Sequence, residues 1–194
     1  QHARDQMETN LFGPLNVTWA VLPSMRAARK GRIFNISSIG GLMGGQMASL
    51  YCASKFALEG FSESLAKEVA PFGIHVTIVE PGPFRTDFLT HASSRFEHTP
   101  IPDYNDRRTQ FHKGIAQRNG KQPGDPAKFA QALLQLADEA APPLRFLAGS
   151  IAVDAATDKF ASLQTDLRNW RALSVSTDGD WDAPDLDALR AQIR

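Results

Sequence analysis

The run Ile74-His75-Val76-Thr77-Ile78-Val79 constrains this chain more than any other stretch. Nearly every residue in it is apolar or β-branched, without the alternation of a strand that keeps one face in water. Such a strand needs cover on both faces, which here means a parallel sheet lying between helices. The neighbouring segments fit that demand. From Asp5 to Lys30 the apolar residues Met7, Leu11, Leu15, Trp19, Leu22 and Met25 recur every three or four positions, predicting an amphipathic helix. Gly13-Pro14 should kink or restart it, Pro23 should bend it again, and Arg29-Lys30-Gly31 is a good stop. Arg32 to Ser37 predicts a strand, and Ser38 to Ser49 a loop at its C-terminal end. A second helix is expected from about Leu50 to Ala70, with Leu58, Phe61, Leu65 and Val69 as its apolar stripe. Its row of small residues, Ala53, Ala57, Gly60 and Ser64, suits a close approach by another backbone, within the molecule or across an interface.

Glu80-Pro81-Gly82-Pro83 ends the apolar strand. Residues 84–124 are polar and lack clear periodicity, so they read as an irregular substrate loop or lid. Its aromatics Phe84, Phe88, Phe96, Tyr104 and Phe111 either line an apolar pocket or pack a small core of their own. Asp125-Pro126 is a capped helix start, continued by Phe129, Leu133, Leu134 and Leu136. Leu144 to Ala148 predicts a short third strand and Ile151 to Trp170 a helix. Residues 175–194 read as an acidic surface tail, apart from Trp181 and Leu186. The series predicts an α/β fold, the C-terminal part of a doubly wound parallel-sheet, Rossmann-type domain, with 1–194 as a single partial domain.

Composition narrows the function. Lys and Arg number 21 against 21 Asp and Glu, which argues against a nucleic-acid or anionic-membrane binder that relies on bulk charge. Cys52 is the one cysteine, so no internal disulfide or multi-thiolate zinc site is possible, and a reducing, cytoplasmic setting is expected. The five histidines, His2, His75, His91, His98 and His112, show no ligand spacing, so no metal is expected. No apolar run is long enough to span a membrane.

Ser38, Tyr51 and Lys55 carry the chemistry. Tyr51 and Lys55 lie at i and i+4 of the predicted second helix and share a face. A phenol titrates near pH 10 on its own, and an ammonium held close should bring that down towards the working range. Ser38 lies just past the C-terminal end of a strand, the edge at which open α/β sheets place ligands. Cys52 has no base partner in reach of the sequence and reads as a small packing residue.

Four motifs in register then point to a family. They are Asn10 within Glu8-Thr9-Asn10-Leu11-Phe12-Gly13, the segment Gly31 to Ser38, Tyr51-Cys52-Ala53-Ser54-Lys55, and Pro81-Gly82-Pro83-Phe84-Arg85-Thr86. Ser38 precedes Tyr51 by 13 residues and Asn10 precedes Ser38 by 28. To about Ser150 the chain resembles the short-chain dehydrogenase/reductase family. The resemblance implies NAD or NADP as cofactor, a small apolar alcohol or ketone as substrate, and a homodimer or homotetramer. It implies that Tyr51 is the general acid/base, that Lys55 lowers the Tyr51 pKa and binds the nicotinamide ribose, and that Ser38 polarises the substrate carbonyl. Asn10 would anchor a water of the proton relay through its backbone carbonyl, and Pro81, Gly82, Phe84 and Thr86 would border the nicotinamide carboxamide.

The family's N-terminal Gly-rich phosphate turn has no counterpart before Tyr51; Gly40-Gly41-Leu42-Met43-Gly44-Gly45 follows Ser38 instead. About 100 residues of the sheet are expected to precede Gln1. The 194 residues alone are expected to bind dinucleotide poorly and to leave strands such as Ile74 to Val79 with open edges and faces. A non-catalytic binding or oligomerisation module is the alternative, and a hydrolase a weaker one, since G-x-S-x-G is absent.

Overall fold

Three parallel strands form the sheet: β1 (Gly31–Ile36), β2 (Ile74–Pro81) and β3 (Arg145–Ala148), in the order β1-β2-β3. Gly31 pairs with Ile74 and Ile36 with Val79, while Ile78 pairs with Arg145 and Pro81 with Ala148. The carboxyl ends of the strands therefore share one edge. The computed structural model describes residues 1–90, 101–179, 188 and 191. Expectations that concern His91, Phe96, His98, Trp181 and Leu186 lie outside the described residues. The chain divides into two compact units, Gln1–Ala156 and Thr157–Arg194.

In the first unit the helices are α1 (His2–Met7), α2 (Gly13–Ala28), α3 (Ser49–Val69), α4 (Asn105–Arg118) and α5 (Pro126–Asp138). A single π-helical turn, Glu8–Phe12, joins α1 to α2, with Pro14 in the first turn of α2. Ile33, Leu65, Val69, Ile74 and Val76 form the core, with Leu22, Met25, Phe61 and Phe72 packed around them. Each such side chain contributes about 1.5–3 kcal/mol by leaving water. Between Ile74 and Val79 only His75 is not buried. The expected open edge of that run is not seen, because β2 is the central strand; the outer strand β1 exposes Ile36 instead, at 44%.

Three local readings change. Trp19 is 55% exposed, and Thr18 is buried in its place. The inward direction shared by Leu15, Leu22 and Met25 on the helical wheel passes closer to position 18 than to 19. The α2 helix ends at Arg29, which takes a left-handed φ of 52°, rather than at Gly31. Arg29 Nη2 donates to the Pro71 carbonyl (2.6 Å) and its guanidinium lies 5.2 Å from the Phe72 ring centre, contacts that hold the residue in this conformation. Gly31 opens β1 in close contact with Met25, where a Cβ would lie 2.7 Å from Sδ.

The expected irregular segment also contains α4. Ile115 is its one buried residue, beside a half-buried Phe111, so the apolar face is too narrow to give a period. As predicted, Asp125 caps α5, its Oδ1 accepting from Ala127 N at 2.8 Å. The helix α6 runs Ser150–Val175, with Ala152 and Ala156 buried.

Candidate active site

The site lies at the carboxyl edge of the sheet, where β1 runs into the Ser38 turn and α3 begins. Ser38 is extended (φ −171°), and its Oγ accepts from Gly40 N at 3.0 Å, opening the single 3-10 turn Ile39–Gly41. The Tyr51 ring packs beside that turn: a Cβ on Gly40 would sit 3.0 Å from Tyr51 Cε1 and 3.5 Å from Ser38 Oγ. Ser38 and the Tyr51 phenol are near enough for the hydroxyl to act on the phenol's titration. One turn along α3, Lys55 Nζ donates to the Ile36 carbonyl at 2.8 Å and lies 5.9 Å from the Tyr51 ring centre. Lys55 is thus fixed to the end of β1. Asn10, in the π-helical turn, donates from Nδ2 to Ser54 Oγ at 3.0 Å, and Ser54 Oγ donates to the Tyr51 carbonyl at 2.7 Å. The structure brings Asn10, Ser38, Tyr51 and Lys55 together around one end of α3.

The electrostatics depart from expectation. Burial pushes the Tyr51 phenol above its ordinary pKa of 10.0, the Ser38 hydrogen bond pulls it down, and the net direction is upward. The lowering contact is therefore Ser38, not Lys55. Burial also lowers Lys55 from 10.5, and the negative charge of Glu59 opposes that fall. Cys52 is buried and free.

The second loop divides its labour. Gly82 N donates to the Ala148 carbonyl at 3.0 Å, and a Cβ on Gly82 would lie 3.2 Å from Ala152 N, so a larger residue there would press on the start of α6. The Phe84 ring packs on Phe129, with centres 4.9 Å apart, and against Gly124; it belongs to a small core. Phe88 instead faces Tyr51, at 5.9 Å and 55° between planes. Thr86 Oγ1 accepts from Phe88 N at 3.3 Å and so orients the turn that carries it. The packing reading of the lid aromatics holds for Phe84, while Phe88 sits beside Tyr51. Nothing in the sequence surroundings of Phe88 sets it apart from Phe84.

The sequence reading also passed over three carboxylates on one guanidinium. Glu59 and Glu63 of α3 and Glu80 of β2 all pair with Arg145 of β3. Glu59 is 4% exposed and Glu80 0%. Burial, with the charge of Glu59 beside it, raises the Glu80 carboxyl from 4.5 to about 7. Two signals were present: Glu59 continues the Tyr51–Lys55 spacing by another four residues, and Glu80 closes an apolar strand.

Residues 1–96 match the family model described as short chain dehydrogenase. An uncharacterized oxidoreductase of Bacillus subtilis (strain 168), YusZ, is 44% identical over 140 residues, covering 71% of this chain and 49% of that protein. A 3-ketodihydrosphingosine reductase of Bacteroides thetaiotaomicron is 44% identical over 148 residues, covering 75% and 54%. A solved short-chain dehydrogenase from Streptomyces avermitilis superposes with a TM-score of 0.80 at 41% identity, covering 91% of this chain and 64% of that one. The chain thus spans about half the length of the curated relatives it matches. With the parallel sheet and with Ser38, Tyr51 and Lys55 at its carboxyl edge, these likenesses place the chain in the short-chain dehydrogenase family.

Proposed function

We propose that this chain carries the catalytic half of an NAD- or NADP-dependent oxidoreductase that interconverts an apolar alcohol with its ketone or aldehyde. The observation that carries the reading is the packing of the Tyr51 ring beside the Ser38 turn at the carboxyl edge, with Lys55 tethered one turn away. In reduction, Tyr51 Oη gives its proton to the carbonyl oxygen, and Ser38 Oγ donates a hydrogen bond to the same oxygen. A phenol held above its usual pKa is fully protonated at neutral pH, which suits the acid role. In oxidation Tyr51 must first lose that proton, and the Lys55 ammonium steadies the phenolate. Asn10 keeps α3 in place through Ser54, and its place in a π-helical turn supports the proposed carbonyl anchor for a relay water.

The cofactor, when bound, supplies or accepts the hydride. The donor set fits its nicotinamide-ribose end: an ammonium has three donors, and one of those on Lys55 goes to Ile36 O. Pro81, Gly82 and Thr86 border the same edge, while Phe84 contributes through its backbone because its ring is packed elsewhere. A pyrophosphate turn is not among these residues. Phe88 beside Tyr51 supports an apolar substrate, as does the ketone named for the Bacteroides relative. The exposed small residues Ala53, Gly60 and Ser64 of α3 favour a contact between copies over internal packing, in a homodimer or homotetramer. No described helix is long and apolar enough to cross a membrane, and the buried free thiol of Cys52 fits a cytoplasmic setting.

The test is Tyr51→Phe in the protein that carries this chain, assayed with NADH and NADPH against an apolar ketone. A fall in kcat of about 10²-fold or more is expected. An unchanged rate removes the catalytic assignment and favours a binding or oligomerisation module.

A further inference from the structure

Tyr51, Lys55 and Glu59 stand at i, i+4 and i+8 of α3, on one face of the helix. Glu59 is buried, and its Oε2 meets Arg145 Nη1, the nitrogen that also holds Glu80 Oε1. Glu63 takes the outer nitrogen, Nη2. Among the described residues, Glu59 Oε1 and Glu80 Oε2 have no hydrogen-bond partner. Glu63 is on the exposed side, so one guanidinium faces two buried carboxylates, and once Glu80 ionises the cluster carries net negative charge where charge is poorly screened. The Ser38 turn offers Ser37 Oγ and Gly41, whose absent Cβ would lie 2.6 Å from Glu59 Oε1. Glycine there lets the carboxylate lie directly beneath that turn.

We propose that Glu59, clamped by Arg145 and backed by Glu80, is a positioning residue that keeps Lys55 charged at the turn from which it serves Tyr51. Lys55 loses water by burial and would otherwise shed its proton more readily; the Glu59 charge opposes this. The role rests on the oxidoreductase reading for its purpose, but not for its measurement. Glu59 acts through Lys55 and touches no reacting atom.

Competitive acylation of Lys55, quantified by peptide mass spectrometry across pH, reads its pKa in the protein that carries this chain. Glu59→Gln should lower the Lys55 pKa, making the amine about tenfold more reactive at a fixed pH below it. At the alkaline pH where a lysine titrates Glu80 is also ionised, so Glu80→Gln should shift Lys55 the same way by less. It carries the test alone if Glu59→Gln does not fold. Glu63→Gln, on the exposed side of Arg145, should leave Lys55 unchanged. Titration of Lys55 as in wild type in every folded variant of Glu59 and Glu80 overturns the proposal, as does an equal shift in Glu63→Gln. This titration needs neither substrate nor cofactor. A Lys55 shift without hydride transfer would therefore sink the oxidoreductase reading alone, and hydride transfer without the shift would sink the positioning role alone.

Discussion

Tyr51 makes visible how burial and charge compete at one residue. Proximity of an ammonium argues for a depressed phenol, yet Lys55 is held by the Ile36 carbonyl and desolvation decides the direction. The sequence identified the residues and their order because i, i+4 spacing is a local property; the balance between burial and charge is set by everything packed around them. With the phenol raised, alcohol oxidation should climb steadily with pH into the alkaline range, while ketone reduction stays flat through neutrality and falls only once Tyr51 ionises. Rate profiles in both directions check this, and oxidation that is already level at pH 7 would contradict the upward direction. Two glycines give a sharper contrast. A Cβ on Gly41 would meet Ser37 Oγ at 2.5 Å and Glu59 Oε1 at 2.6 Å, both buried, so Gly41→Ala should cost about 1–3 kcal/mol. Gly60 lies within α3 with nothing in its own chain inside 4 Å of its absent Cβ, so Gly60→Ala should gain about 0.5–1 kcal/mol in the monomer, where no second copy packs on it. Thermal unfolding of the two variants should move in opposite directions.

At the scale of elements, α3 is joined to β1 by a buried polar contact as well as by core packing. Asn35 Nδ2 donates to Ser62 Oγ at 2.7 Å, and Ser62 Oγ donates to the Leu58 carbonyl at 2.6 Å. Ser62→Ala strands the Asn35 amide in the core and should cost about 1–3 kcal/mol. Ser64→Ala, on the exposed face, should change stability by less than about 0.5 kcal/mol. Denaturant unfolding separates them, and equal effects would show that the Asn35 bond contributes nothing net. The two serines look alike in the sequence, which is why this contact was not legible, whereas β1, β2 and α3 were. Their apolar runs and stops, such as Leu58–Leu65–Val69 and Pro71-Gly73, are local signals of the kind that survive packing. The α4 helix was missed for the opposite reason: two apolar residues along its inner side, Phe111 and Ile115, make too weak a stripe to distinguish a helix from a loop.

Across the whole sheet, strand register decides chemistry that no local pattern contains. Arg145 reaches Glu80 because Ile78 pairs with Arg145 and Glu80 with Leu147, bringing together residues 65 apart in the chain. The parallel order could be read from the unbroken Ile74–Val79 run, but the register that builds this buried charge cluster could not. Its consequence is a pH dependence of stability. In the folded chain Glu80 holds its proton up to about 7, chiefly because it is buried and secondarily because Glu59 is charged beside it. In the unfolded chain a glutamate releases that proton at about pH 4.3. The native state therefore binds more protons than the unfolded state across the interval between. Stability from this group is complete below about pH 4.3, declines as pH rises towards 7, and is lost above it. Glu80→Gln is neutral at every pH and should remove this slope while leaving other titrations in place. The difference in unfolding midpoint between wild type and Glu80→Gln should accordingly turn in favour of the variant between about pH 5 and 7, then level off. A difference that stays constant across that window would mean that Glu80 is ionised in the folded protein throughout, with Arg145 outweighing both its burial and its neighbour Glu59.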